Sequence, residues 1–228
     1  MNNNQINLKR MGLISAFALA AMAALSAWAW PQLPADASIP VHWGLDGTPD
    51  RYGGKWEGLF GLPLVTLGIT LLLTAILYID PLHANIQRSG KAYTITWIVL
   101  LLFMAALHLF VVFAALGWVR KTNLLFSMGM GVVFLVIGNY MGKIRRNYTF
   151  GIKTPWTLAS DRVWDKTHRL GGRVFMLAGL LILLGAFLPS GPLQLYLMLG
   201  SLIGATILVV LYSYAVWRND PAVQVERG

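Results

Sequence analysis

The sequence predicts an all-α membrane protein, a polytopic bundle of six transmembrane helices with both termini on the cytoplasmic side. Three observations predict it. Of 228 residues, 57% are hydrophobic and only 12% are charged, whereas a soluble domain carries about 25% charged residues. Six apolar stretches approach the roughly 20 residues that a helix rising about 1.5 Å per residue needs to cross a bilayer. None of the six contains Asp, Glu, Lys or Arg. Third, the basic residues fall on one side of the alternating loops. The same composition excludes a soluble globular domain, a disordered chain and a collagen-like one. With no Cys, disulfides, thiolate metal sites and a cysteine nucleophile are excluded as well.

The first stretch, Met11–Trp30, is Ala-rich and follows Lys9 and Arg10. Ala27-Trp28-Ala29 resembles a signal-peptide cleavage site, so the stretch reads either as a retained helix, which its length favours, or as a cleaved leader. Leu59–Ile79 and Tyr93–Trp118 are uncharged spans. Between them, Asp80–Ala92 holds Pro81, His83 and Gly90, a helix stop followed by a turn. Leu124–Gly142 is Gly-rich, and Leu193–Trp217 closes the set. Val174–Pro189 is short, so its helix is expected to begin upstream with Arg173 snorkelling. His108 is the one strongly titratable side chain deep in a span and reads as a hydrogen-bonded histidine between helices. Close helix contacts are expected at two G-x-x-x-G pairs, Gly138/Gly142 and Gly200/Gly204, and on a small face of Ala20, Ala23, Ala24 and Ala27.

Orientation follows from Lys and Arg. With the N-terminus inside, the inner segments hold Lys9, Arg10, Arg88, Lys91, the eight basic residues from Lys143 to Arg173, Arg218 and Arg227. The outer segments hold only Arg51, Lys55, Arg120 and Lys121. That asymmetry follows the positive-inside rule. It also accounts for a net charge of +9 without nucleic acid as a direct partner.

Two long loops carry the polar information, an outer one over 31–58 and an inner one over 143–172. They divide the chain into an N-terminal membrane region, 1–92, and a C-terminal one, 93–228. Each loop follows the first helix of a three-helix half, which makes the halves candidates for a 3+3 inverted repeat. In the outer loop Pro31, Pro34 and Pro40 enforce extended backbone. Asp46-Gly47-Thr48-Pro49-Asp50 is turn chemistry, and Trp43, Tyr52 and Trp56 suit a membrane interface. His42 with Asp46 and Asp50 makes a candidate polar site. No second His or helical spacing supports a metal there, and no cofactor is expected.

In the inner loop Thr157 is placed as the N-cap of a short amphipathic helix ending at Gly171-Gly172, lying in the cytoplasmic interface. Val163, Trp164, Thr167 and Gly171 share its buried face. Asp161, Asp165 and His168, at i, i+4 and i+7, are the only acid–base constellation in the chain. A solvated face is the simpler reading, with Asp165 and Arg169 as an i, i+4 ion pair. Neither H-E-x-x-H nor G-x-S-x-G occurs.

The inner loop and the end of the fourth span resemble the SdpI family of bacterial membrane proteins. The residues that carry the resemblance are Gly138-Asn139, Lys143, Asn147, Gly151, Thr154-Pro155-Trp156-Thr157-Leu158, Trp164, Thr167-His168 and Gly172. Lys153 departs from the pattern, which usually has Arg there; a Lys grips a carboxylate or phosphate less well. The outer loop resembles a domain of unknown function that often precedes this segment, through Pro40, His42, Trp43, Gly47, Pro49 and Asp50. The resemblance implies a multi-pass protein of the bacterial inner membrane that gives immunity to a secreted peptide toxin. It also implies signalling by holding a cytoplasmic repressor at the lipid bilayer. The alternative is a membrane-embedded enzyme or a small transporter that uses the polar residues of the two loops.

Overall fold

The computed structural model describes residues 5–44, 48–119, 123–189 and 191–220. Six of its helices are long and apolar enough to cross a membrane. They are α1 (Leu8–Ala29), α2 (Lys55–Ile79), α4 (Gly90–Ala115), α5 (Asn123–Met141), α7 (Asp161–Ala186) and the last span, Pro192–Arg218. Short helices α3 (His83–Arg88) and α6 (Pro155–Ala159) lie in the connections. The last span begins as α8 (Pro192–Leu195), passes through a π-helical turn (Tyr196–Gly200) and continues as α9 (Ser201–Arg218). Leu13, Phe17, Leu64, Leu72, Leu177 and Leu211 point outward, as lipid-facing side chains do.

Helix α4 is the hub. It packs on α1 and α2, which also touch each other, and on α5. In the second half α7 lies between α5 and α9. The first three spans therefore form a mutual triple and the last three a row, so the halves drawn as an inverted repeat pack differently. Trp43 of the hairpin meets Phe110 near the end of α4, and Phe150 of the inner loop meets Tyr93 near its start. Seventeen residues of helix separate those contacts, about 25 Å at 1.5 Å per residue. The two polar loops therefore sit at opposite ends of the bundle.

Three expectations about the spans are corrected. The inner-loop helix does not end at Gly171-Gly172. Asp161–Ala186 is one continuous helix, capped by the Ser160 side chain, and it includes the whole fifth span. The glycines serve packing instead of termination. A Cβ at Gly138 would lie 2.7 Å from Gly172 O, one at Gly172 2.6 Å from Gly138 O, and one at Gly179 2.7 Å from Gly131 O. Gly131 with Gly179 and Gly138 with Gly172 are thus antiparallel contacts at seven-residue spacing, where α5 and α7 touch backbone to backbone. The second G-x-x-x-G pair makes no such contact, since a Cβ at Gly200 or Gly204 meets nothing within 4 Å. On α1 the Ala face is exposed, and the buried face is Met11, Ser15, Met22, Ser26 and Ala29.

That α1 face is chosen by polar groups. Pro63 interrupts α2 and has no N–H, so the carbonyl four residues earlier, Leu59 O, lacks its helical donor. Ser26 Oγ donates to it across the interface at 2.5 Å. His108 Nε2 lies 3.1 Å from Ser26 Oγ and 3.0 Å from Met22 O. A carbonyl and an already donating hydroxyl both require Nε2 to carry the proton, so His108 donates and Ser26 has no base beside it. His108 is thus the interhelical histidine expected from the sequence, although its Nδ1 has no partner among the described residues.

The fold is also not purely helical. Ile39–Trp43 (β1) and Pro49–Gly53 (β2) form an antiparallel hairpin with irregular register, pairing Ile39 with Gly53, Pro40 with Tyr52, His42 with Arg51 and Trp43 with Pro49. Pro31 does not enforce extended backbone as expected, since it lies in a one-turn 3₁₀ helix, Trp30–Gln32; Pro40 does lie in a strand, where Ile39 and Trp43 pack against the bundle. Ile39 is buried over Gly58, where a Cβ would come within 2.5 Å of its side chain.

Candidate functional site

At the motif end, the loop after α5 is organised by Asn147. Its buried amide donates to Arg145 O and Phe150 O, both at 2.8 Å, and accepts from Thr149 N at 3.0 Å and Phe150 N at 2.6 Å. All hydrogen-bonding capacity of the side chain is spent on folding its own loop. The chain then turns at Gly151, whose φ of +121° favours glycine. A Cβ there would lie 2.5 Å from His168 Nε2. The missing side chain lets Ile152 N–H reach that nitrogen at 3.0 Å.

The His168 ring is buried and held on both sides. Nε2 accepts from Ile152 N–H, so Nδ1 carries the proton and donates to Trp164 O at 2.9 Å. The ring stacks on Trp164 with centroids 4.0 Å apart, and the Trp164 indole N–H donates to Ile144 O at 2.7 Å. Asp161 faces elsewhere, pairing with Arg146 Nε at 2.6 Å, and Arg146 also donates to Leu158 O. The acid–base constellation of Asp161, Asp165 and His168 is therefore not assembled. The Asp165–Arg169 ion pair is replaced by a contact from Arg169 Nε to the Asp165 backbone carbonyl at 3.4 Å. Thr167 is buried, and its hydroxyl has no partner among the described residues.

Thr157 is not the N-cap. Thr154 caps α6, with Thr157 returning the bond from the third position as a capping box and Pro155 in the first turn. This holds Trp156 against the last span, where its indole N–H donates to Ser213 Oγ and its ring meets Tyr214 edge-on at 5.3 Å. Lys153 is exposed and donates to Thr149 O at 3.0 Å, and it pairs with no carboxylate among the described residues. Asn139 stands apart on the exposed face of α5.

Three side chains of the α2–α4 connection hold this loop from the other half. Asp80, 1% exposed, accepts from Tyr148 N at 3.0 Å and Thr149 Oγ1 at 2.6 Å, and from Leu82 N at 2.7 Å. Asn85 Nδ2 donates to Arg146 O at 2.8 Å, and Ser89 Oγ accepts from Arg145 N at 2.8 Å. Sequence reading missed all three. The available signal was Asp80 itself, one of only nine acidic residues, set at a helix end beside Pro81.

At the hairpin end, His42 Nδ1 meets Asp50 Oδ1 at 2.6 Å, with side chains 65% and 49% exposed. Among the described residues no third His, Asp or Glu joins them into a metal-sized group. Gly47 and Asp46 lie outside the described residues. Pro40 and Pro49 sit within the strands, and Trp43 packs edge-on against Phe110 at 5.6 Å.

Comparison with known proteins matches two segments of the chain. Residues 143–213 match the SdpI/YfhL protein family, and residues 17–67 match a domain of unknown function, DUF1648. The first segment contains the motif loop, all of α7 and most of α9; the second contains most of α1, the hairpin and the first half of α2. The chain is similar to the immunity protein SdpI of Bacillus subtilis (strain 168), with 24% identity over 184 residues, covering 79% of this chain and 84% of that protein. No solved structure matches the chain.

Proposed function

Because this chain carries an SdpI/YfhL-family segment behind a DUF1648 segment, we propose that it is an immunity protein of the bacterial inner membrane, protecting its cell from a secreted peptide toxin. The observation that carries the reading is the alignment with an immunity protein along most of both chains. The hairpin end faces outward and meets the toxin; the motif end faces the cytoplasm with both termini. The concentration of Lys and Arg in the motif-end segments supports that orientation.

The motif residues support a binding role over chemistry. Asn147, Thr154, Thr157, Trp164 and His168 spend their polar atoms on one another and on the loop backbone. They build a rigid platform that presents exposed Arg145, Tyr148 and Lys153 to a cytoplasmic repressor. Asp80, Asn85 and Ser89 tie that platform to the first half, so a toxin that favours one arrangement of the first half shifts the platform with it.

The test is survival. A sensitive bacterium expressing this chain is challenged with secreted membrane-active peptides, including any encoded beside its gene. A raised inhibitory concentration for one peptide is expected; no shift for any of them refutes immunity. A repressor fused to a fluorescent protein is expected to move to the membrane only when that peptide is present, and a uniformly cytoplasmic signal refutes the relay.

A further inference from the structure

A polar cleft of about 930 Å³ opens at the motif end, on the seam between the two halves. Arg88 of α3 lines it from the first half; Arg145, Arg146, Asp161 and Asp165 line it from the second. Contacts across the seam bring the arginines together. Ser89, next to Arg88 in the chain, accepts from Arg145 N–H at 2.8 Å, and Asn85 Nδ2 donates to Arg146 O at 2.8 Å. Arg146 spends its charge on Asp161 at 2.6 Å and also donates to Leu158 O. Arg88 and Arg145 are exposed and pair with no carboxylate among the described residues, and Asp165 pairs with no cation among them. His83 also lines the cleft. Counted as neutral, it leaves Arg88 and Arg145 against Asp165, a surplus of one positive charge.

We propose that this cleft binds a phosphate group, held by Arg88 from one half and Arg145 from the other. Like charges at one cleft repel, and an anion between them replaces that repulsion with charge-assisted hydrogen bonds. A phosphate is tetrahedral, so it offers oxygens to two guanidinium forks that arrive from different segments, whereas a planar carboxylate is filled by one fork. The single surplus charge matches one phosphodiester and leaves a polyphosphate without counter-charge. Depth fits as well. The α2 span ends at Ile79 and the α4 span begins at Gly90, so α3 between them lies at the level of the lipid headgroups. The phosphate therefore comes from an anionic lipid headgroup or from solution. Once bound, it ties the halves at the seam that Ser89 and Asn85 already hold, and leaves Tyr148 and Lys153 as the exposed part of the platform. The inference does not depend on the immunity reading.

The test uses the full chain in nanodiscs of phosphatidylcholine alone, with a minor fraction of phosphatidylglycerol, or with millimolar inorganic phosphate in the buffer. Phosphatidylcholine is the background, since its choline cation meets surplus positive charge. The readout is hydrogen exchange of the segment that carries the Arg145 N–H, because a ligand bridging the halves stabilises the closed seam. Adding the phosphate source is expected to slow exchange about tenfold. Arg88→Gln, a change in the other half, abolishes that slowing. Asp165→Asn deepens it several-fold by removing the charge that repels the anion, a gain that a misfolded chain does not give. Lys166→Gln removes an exposed positive charge of α7 that does not line the cleft, and leaves the slowing unchanged. Slowing by phosphatidylglycerol alone supports a lipid headgroup as the source; slowing by inorganic phosphate in pure phosphatidylcholine supports solution. Slowing by neither, or slowing that survives Arg88→Gln, overturns the proposal. An equal loss in Lys166→Gln overturns it in favour of diffuse surface charge, and a loss in Asp165→Asn overturns the charge argument on which it stands.

Discussion

Replacing Asp80 by Ala removes one acceptor group from three donors, Leu82 N, Tyr148 N and Thr149 Oγ1, at 2.6–3.0 Å. Hydrogen bonds to a charged group are worth about 1.5–3 kcal/mol each, and neutral ones about 1. Tyr148 is exposed, so its backbone regains water more easily than a buried donor does. The Leu82 bond stays within the α2–α4 connection, so two of the three cross to the loop, and at about 1 kcal/mol each they give about 2 kcal/mol for its release from the first half. At 1.36 kcal/mol per tenfold, the open population rises by roughly thirtyfold. Trypsin reads this directly, because Arg145 and Arg146 lie in the held segment and cleavage tracks the open fraction when reclosing is fast. The Asp80→Ala chain in nanodiscs is expected to be cut there about thirty times faster than the parent. Asp80→Asn, which keeps one acceptor oxygen, falls between them. Asp36→Ala, at an exposed hairpin-end site, serves as the control that leaves the rate unchanged. Cleavage of Asp80→Ala at the parental rate would show that this carboxylate does not hold the loop.

Two further outcomes separate packing from chemistry. Gly138→Ala drives a Cβ into Gly172 O at 2.7 Å and is expected to cost about 1–3 kcal/mol by overpacking. Gly204→Ala meets open space and is expected to be neutral or slightly stabilising, with the midpoint of SDS-induced unfolding checking both. Nitrogen-15 NMR of His168 is expected to show the proton on Nδ1, as Ile152 N–H and Trp164 O demand. A proton on Nε2 would contradict the arrangement. His168→Ala leaves the Ile152 N–H unpaired and is expected to lower stability by about 1–3 kcal/mol, with altered Trp164 fluorescence from loss of the stacked ring.

The six spans were legible because a bilayer demands long uninterrupted apolar runs, and nothing else in the chain imitates them. The start of the fifth was not, because Gly171-Gly172 has the form of a helix stop. In the folded chain Gly172 meets Gly138 of α5, and close packing outweighs intrinsic preference. The hairpin escaped notice for a related reason. Three prolines announce extended chain in the outer loop, but pairing of β1 with β2 depends on the bundle surface that buries Ile39. Among the motif residues the names were legible and most of the contacts were not. Thr154 and Thr157 exchanged roles at the cap, and His168 turned from its helical neighbours Asp161 and Asp165 to a backbone amide sixteen residues earlier.

Composition and local spacing were enough to place this chain in a membrane, count its helices and mark the two loops where its polar chemistry gathers. Those properties depend on transfer from water to lipid, which each segment undergoes on its own account. Contacts between distant residues settled the rest. Ser26 satisfies a carbonyl freed by Pro63, Gly131 and Gly138 admit α7, and Asp80 grips a loop nearly seventy positions away. Each depends on a partner whose proximity is created by folding, and a buried polar atom or a missing Cβ gains its meaning only when that partner arrives.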